Sequence, residues 1–525
     1  MSVKGGGTAL HEEHGARGPA PAPHRSREEG DTVVRGTVLA FLAKLAGGVF
    51  TGGLTIFLAR TLGSHSYGVL ALALSIVALL ELVSDFGVAV AIPRFLAEER
   101  ADGDSVRRLV ADGLLLEAAG SVLFGGALLA LAGVFAAAYH APALAMPLRA
   151  LAVAMIGTKF LFFSLGVFAA LRRQALNVWA SLIESVAEAF ATVTLVVIAG
   201  GATAAAFGKA TGYAIGAVAG LLLVRRLLGG GITPRLRSSR GNVRRILGYA
   251  ANVWIVDGVY TAFMQIDSLL IGAMIAAGSV AFFQAPMRLI LLLQYPGAAI
   301  AAAVAPRMAI SQRSPRNTAA FASSLRLLVL LMVPATVFTT VWATTIVHYA
   351  LGPGYGRAAD VLRVLAPYVF LSGGATLVST SLNFLGRARS RIPIAIATLL
   401  VNVLLDALLI PRIGVVGGAV GSDAGLAIYV LAHLWLCASL MGLRVRPLVA
   451  TLARCLLAAV PVALLLASVG TGQVSPLAAV LGATAATSLY VLGLVAVGEL
   501  APGEISLVIA GLRRRLGLAP VWPRG

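Results

Sequence analysis

Cysteine, charge and aromatic side chains are all scarce in this chain. Two cysteines among 525 residues, Cys437 and Cys455, exclude a disulfide framework and a cysteine-based metal site. Both fall in or beside apolar segments and read as small core residues. Charged residues make up 12% of the chain, about half of what a soluble domain carries, so an array of soluble domains is excluded. Motifs for nucleotide, metal or nucleophile chemistry are missing as well. Gly208-Lys209 has Thr203 where a phosphate loop needs glycine and Ala210 where it needs Ser or Thr. His11-Glu12-Glu13-His14 lacks both the metal-site spacing and a helix to present it. No enzyme activity, cofactor or bound metal is therefore expected. Nor is a cleavable signal peptide expected, because residues 1–34 read as a polar, disordered cytoplasmic tail ahead of the first apolar run.

What is abundant is apolar length. Hydrophobic residues make up 59%, with a mean hydropathy of +0.91. A span needs about 20 apolar residues, and about fourteen such stretches follow one another. They lie near 35–58, 67–90, 109–136, 144–170, 176–199, 203–224, 246–271, 279–305, 321–349, 358–385, 391–411, 415–441, 450–469 and 475–498. The closest neighbours are divided only by Gly200-Gly201 and by Pro411-Arg412-Ile413-Gly414. The expected fold is an all-α polytopic membrane protein. Residues 35–224 form a first six-helix lobe, 225–245 a cytoplasmic linker and 246–441 a second lobe. Two further helices occupy 450–498, and 499–525 form a cytoplasmic amphipathic tail that lies on anionic lipid.

The basic residues test this map. Lys and Arg concentrate in cytoplasmic loops. The tails and alternate loops hold 30 of the 41, including Arg107, Arg108, Arg225, Arg226, Arg387 and Arg389; the intervening loops hold four, Arg60, Arg149, Arg357 and Arg412. Both termini are thus expected in the cytoplasm. The net charge of +19 is mainly a topology signal, and no nucleic-acid partner is expected.

The remaining basic residues lie in or at the edges of apolar segments. A charge at membrane depth costs several kcal/mol unless it faces a wet cavity or a partner. Lys44, Lys159, Arg288 and Arg363 are such charges, and each has acids available for pairing, among them Glu81, Glu184, Glu188, Asp257, Asp267 and Asp406. Glu184 and Glu188 are one turn apart and share a helix face. Lys209 and Arg326 sit near span ends and read as interfacial. Gly48 and Gly52, four apart, permit close helix packing. Pro296, Pro334 and Pro367 are candidates to interrupt the eighth, ninth and tenth spans, with Pro296-Gly297 as a hinge.

Three stretches resemble the polysaccharide (O-antigen-type, lipid-linked oligosaccharide) flippase family of the multidrug/oligosaccharidyl-lipid/polysaccharide superfamily. The first is Phe57-Leu58-Ala59-Arg60-Thr61-Leu62-Gly63 with Tyr67-Gly68 and Asp85-Phe86-Gly87. The second is Ile266-Asp267-Ser268-Leu269-Leu270-Ile271-Gly272. The third runs from Leu351-Gly352-Pro353-Gly354-Tyr355 through Asn383-Phe384-Leu385-Gly386-Arg387 and Asn402 to Ile410-Pro411-Arg412-Ile413-Gly414. Ala281-Phe282-Phe283 departs from the family's Gly-x-Tyr after the seventh span.

The resemblance implies a V-shaped pair of six-helix lobes with two added helices. It implies alternating-access transport of oligosaccharide on undecaprenyl diphosphate from the cytoplasmic to the outer leaflet of a bacterial inner membrane. Polysaccharide polymerase and glycosyltransferases are the implied functional partners, and membrane lipid the surroundings. Under that reading Lys44, Arg288, Lys159 and Arg363 are candidate cargo cations, with ion pairing as their alternative role. Lys44 and Arg288, in spans of opposite lobes, lead the ranking. Asp257, Asp267, Glu81, Glu184 and Glu188 are candidates for Na+ or H+ coupling or for ion pairs. A peptidoglycan-precursor (lipid II) flippase and a multidrug or organic-cation antiporter of the same superfamily are the competing readings. The short outer loops weigh against a membrane glycan polymerase or ligase.

Overall fold

The computed structural model describes residues 23–85, 88–99, 102–230, 258–304 and 315–501. Among them there are seventeen α-helices and no strands. The expected tails at 1–22 and 502–525, most of the linker and Asp257 lie outside the described residues.

Helix α1, Pro23–Asp85, has 63 residues. At 1.5 Å per residue an unbroken helix of that length measures about 95 Å, three times a bilayer core, so it has to turn back. It does so at Gly63, whose φ of 70° and ψ of 170° suit a residue without Cβ. The first arm ends there and the second begins. Helices α2 (Val88–Glu99), α3 (Gly103–Ala138), α4 (Ala145–Ala170), α5 (Gln174–Ala199) and α6 (Gly201–Leu227) complete the first lobe. The second lobe comprises α7 (Gly258–Met274), α8 (Ala281–Leu292), α9 (Tyr295–Val304), α10 (Pro315–Val341), α11 (Ala343–Leu351), α12 (Gly356–Val364), α13 (Ala366–Phe384), α14 (Arg391–Ile413) and α15 (Val415–Met441). Of the two last helices, α16 (Arg446–Val469) packs on α10 and α17 (Pro476–Ala496) packs on α16.

Among the described residues, ten helices are long and apolar enough to cross a membrane, or up to twelve if each of two bent pairs is one span. The sequence-based map of about fourteen differs because it divides α1 at Gly63 and counts α7, described from Gly258 to Met274. The helices break where the sequence offered its weakest separations, at Gly200 and at Gly414, both with positive φ. Pro411 itself stays inside α14. The bent pairs are α8–α9, at 41°, and α12–α13, at 59°. In each, the proline lies in the first turn of the second helix, as Pro296 in α9 and Pro367 in α13, where the missing N–H breaks no hydrogen bond. Pro334 is different. Helix α10 runs through it from Pro315 to Val341, so no break occurs there.

The lobes meet along α1. On its first arm, Gly48 lies against the Tyr295 ring and Gly52 against Leu292. At the Gly63 end, Gly68 sits on the backbone carbonyls of Ala277 and Gly278. Tyr67 and Phe282 both pack edge-on against Tyr355, at 6.3 and 6.2 Å between ring centres. These rings close that end of the inter-lobe seam. Outward-facing apolar side chains such as Phe190 and Leu477 provide the surface that lipid covers.

Candidate functional site

A polar cavity of about 380 Å³ opens between α1, α4, α5, α6, α7 and α8. Its charged lining consists of Glu81, Glu184, Glu188, Lys209 and Arg288, with Gln265 and Gln284 on the second-lobe side. A second cavity, of about 390 Å³, runs between α1 and α8 past Gly48, Thr51, Thr55, Leu292 and Tyr295. Arg288 lines both. It is half-buried and, among the described residues, makes no hydrogen bond or ion pair.

Two of the other candidate cations are engaged. Lys159, on α4, is 7% exposed and donates from Nζ to the backbone carbonyl of Glu81 at 2.8 Å. It is absent from the cavity lining, so it ties α4 to the second arm of α1. Arg363, on α12, pairs with Asp360 at 2.7 Å and donates to the Thr344 hydroxyl at 2.6 Å, also away from the cavity. Lys44 falls in α1, among residues whose side chains lie outside the description.

Lys209 and Arg326 are each held by a carboxylate that the sequence reading did not pair with them. Lys209 lines the cavity, pairs with Glu188 at 2.8 Å and lies 4.9 Å above the Tyr213 ring. Its apolar neighbours made it look like a span-end lysine; only the approach of α5 supplies its partner. Arg326 pairs with Glu499 at 2.7 Å, and Thr451 and Arg454 reach the same carboxylate at 2.9 and 3.1 Å. That carboxylate thus joins α10, α16 and the end of α17.

Glu184 and Glu188 both line the cavity from α5, as their spacing requires. Ser185 donates to Glu184 at 3.1 Å. The wall they stand on is unusually close to α6. Gly208, Gly212 and Gly216, four apart, lie against Thr192, Glu188 and Glu184 respectively. A spacing of four puts all three on one helix face, a signal readable in the sequence but not used above.

The second lobe holds a separate buried group. Asn402, on α14, donates from Nδ2 to Oδ1 of Asp267 at 3.0 Å. Asp406 lies one turn further along α14, and both it and Ser422 of α15 stand close to Asp267. Asp267 is 2% exposed, and Asn402 and Asp406 are completely buried. Among the described residues, both carboxylate oxygens of Asp406 and the amide oxygen of Asn402 lack a hydrogen-bond partner. Gly421 makes the arrangement possible, since a Cβ there would meet Asp406 Oδ1 at 2.1 Å. Two carboxylates in one dry site cannot both be ionised without a cation or proton. Asp406 entered the sequence reading only as an available acid, because its proximity to Asp267 depends on α14 packing against α7. Among the described residues no group of three or more His, Cys, Asp and Glu side chains is arranged to hold a metal ion.

Pro296 and Gly297 lie just beyond the bend between α8 and α9. Gly297 is pressed against the carbonyl oxygen of Gly373 on α13, which a Cβ would approach to 2.0 Å. It therefore serves close contact between the two bent pairs.

Known proteins were compared with the chain. A family model described as polysaccharide biosynthesis protein matches residues 33–312. No curated protein sequence matches. Among solved structures, the lipid II flippase MurJ in an inward closed conformation superposes with a TM-score of 0.69 at 12% identity, covering 87% of this chain and 100% of that one. An inward-facing multidrug resistance MATE family transporter of the MOP superfamily gives 0.62 at 15% identity, covering 76% and 95%. An outward-facing MATE transporter gives 0.54 at 16%, covering 78% and 96%. At these identities the likeness is one of fold.

Proposed function

This chain belongs to the polysaccharide biosynthesis protein family, and from that premise we propose that it is a flippase for lipid-linked oligosaccharides. It moves glycan units on undecaprenyl diphosphate from the cytoplasmic to the outer leaflet of a bacterial inner membrane, by alternating access. It is a carrier and not an enzyme, working between the glycosyltransferases that build the unit and the polymerase that uses it.

Arg288 carries the reading. A diphosphate near −2 has to cross a layer where its charge is costly, whereas a polyprenyl tail can stay in lipid. An unpaired guanidinium, shared by a central cavity and by a groove between the lobes, is suited to phosphate, because its planar fork donates two parallel hydrogen bonds. Lys44, earlier in the α1 sequence, is the proposed second cation. Lys159 and Arg363, being engaged elsewhere, rank behind them. With the termini in the cytoplasm, the Tyr67–Tyr355–Phe282 closure faces outward, so the cavity is read as belonging to an inward-side state. The membrane potential assists: an unneutralised charge moving through 100 mV gains about 2.3 kcal/mol, and an inside-negative potential drives an anion outward.

Resetting the carrier is assigned to the buried group around Asp267. Two carboxylates, an amide oxygen and a hydroxyl form a donor set for one H+ or one Na+, and the unpartnered oxygens of Asp406 and Asn402 support that use. A cation exporter is the second reading, favoured by the three carboxylates in the cavity. Reconstitution into liposomes separates the two. Flipping of a fluorescent undecaprenyl-diphosphate oligosaccharide is expected; export of cationic dyes without lipid flipping would overturn the proposal.

A further inference from the structure

The central cavity is not a basic funnel. Three carboxylates and two cations line it, and one of those cations, Lys209, is already held by Glu188 and by the face of Tyr213. The charges are also sorted in space. Arg288 belongs to α8 and the second lobe, beside the groove between lobes. Glu184, Glu188 and Lys209 belong to the opposite wall, made by α5 and α6. Thr192 lines the same wall; it is 1% exposed and its Oγ1 has no hydrogen-bond partner. Ser185 and Thr158 add two more hydroxyls to this half of the lining.

We infer that the α5–α6 wall reads the glycan, and that the sugar it accepts is uncharged or amine-bearing and not acidic. This rests on the flippase reading and goes one step beyond it, to the class of sugar. Carboxylate oxygens accept hydrogen bonds from sugar hydroxyls and from an ammonium group, and a hydroxyl such as Thr192 both donates and accepts. A uronate or phosphorylated sugar is in the reverse position. It brings a negative charge up to Glu184, beside a Glu188–Lys209 ion pair that is neutral as a whole and has no cation to spare. A like charge a few ångströms away in a site of reduced dielectric opposes binding. The cargo's own phosphates avoid that penalty by staying at Arg288, across the cavity. Diphosphate and glycan are thus read by different lobes, and the wall at Glu184–Glu188–Lys209 determines which glycan fits.

The test uses three undecaprenyl-diphosphate glycans of equal length, one neutral, one carrying an amine and one carrying a uronate, with the full chain in detergent for binding and in liposomes for flipping. Binding tests the present inference, and flipping tests the reading beneath it. The neutral and amine-bearing lipids are expected to bind at least about tenfold more tightly than the acidic one. Glu184→Gln/Glu188→Gln releases Lys209 and is expected to bring the acidic lipid level with the neutral one or ahead of it; Glu188→Gln alone moves in the same direction if the double variant folds poorly. Equal affinity for all three lipids in the unmodified protein overturns the inference, as does a preference that survives both variants. A binding preference without flipping leaves this inference standing and removes the transport reading.

Discussion

Gly212 of α6 lies so close to Glu188 of α5 that a Cβ on the glycine would sit 2.4 Å from the glutamate Cβ and 2.5 Å from its Cα. The glycine lets the two backbones approach, and that approach brings Glu188 to Lys209. Replacing Gly212 with Ala forces the helices apart and is expected to destabilise the protein by about 1–3 kcal/mol, seen as a lower melting temperature in detergent. Gly126→Ala is the control. Nothing lies within 4 Å of its added Cβ, so that variant should match or slightly exceed the parent, because Ala is the better helix former.

Arg288→Ala should separate function from stability. With no described partner to orphan, the variant is expected to melt within about 0.5 kcal/mol of the parent. Its flipping rate should fall by about tenfold or more, the worth of one hydrogen bond to a charged group. Arg288→Lys should recover part of that, retaining the charge without the fork. Full flipping by a well-folded Arg288→Ala protein would remove Arg288 from the cargo path.

Lys159→Met should behave in the opposite way. It removes the donor to the Glu81 carbonyl and is expected to lower the melting temperature. The diphosphate affinity of whatever protein folds should be unchanged. A large loss of affinity with unaltered stability would return Lys159 to the cargo site.

Asp267→Asn and Asp406→Asn test the coupling group. Each leaves one carboxylate in place of two, so the site no longer needs a cation or shared proton. Flipping driven by an imposed Na+ or H+ gradient is expected to lose its gradient dependence in both variants, with a slower ungated rate remaining. Gradient-driven flipping that persists in both would place coupling elsewhere.

Glu499 gives a pH dependence with a definite sign. Burial raises its carboxyl pKa, but hydrogen bonds from Arg326, Thr451 and Arg454 prevail and hold it below the ordinary 4.5. A depressed folded-state value contributes stability that is complete above the unfolded value and is lost as pH falls through the folded one. Melting temperature should therefore be insensitive to this group near neutrality and decline below about pH 4.5. Glu499→Gln should flatten that decline and weaken the hold of α16 and α17 on α10.

Pro296→Ala examines the bend between α8 and α9. Proline occupies the first turn of α9, where alanine also fits, so the helix should form and stability should change little. We expect slower flipping, because the restricted φ beside the bend is lost. Unchanged transport would show that the bend does not depend on Pro296.

Much of this was readable without coordinates. Long apolar runs, the glycines that end them and the basic loops foretold an all-helical membrane protein, and Phe57–Gly63 and Ile266–Gly272 foretold its family. Glu184 and Glu188 were placed on one face by spacing alone. The partners of Lys209, Arg326 and Asp406 were not recognised, because each comes from elsewhere in the chain: Glu188 for Lys209, Glu499 for Arg326, Asp267 for Asp406.

Transfer from water to lipid is close to a sum over residues within one segment, so the sequence alone pointed to an all-helical membrane protein and to a turn between its first two apolar stretches, where Gly63 lies. Whether a buried charge is free or neutralised depends on distances of a few ångströms between helices far apart in the chain. The tertiary structure decided that. It gave Lys159 the Glu81 carbonyl and Lys209 the Glu188 carboxylate, and it left Arg288 open to two cavities.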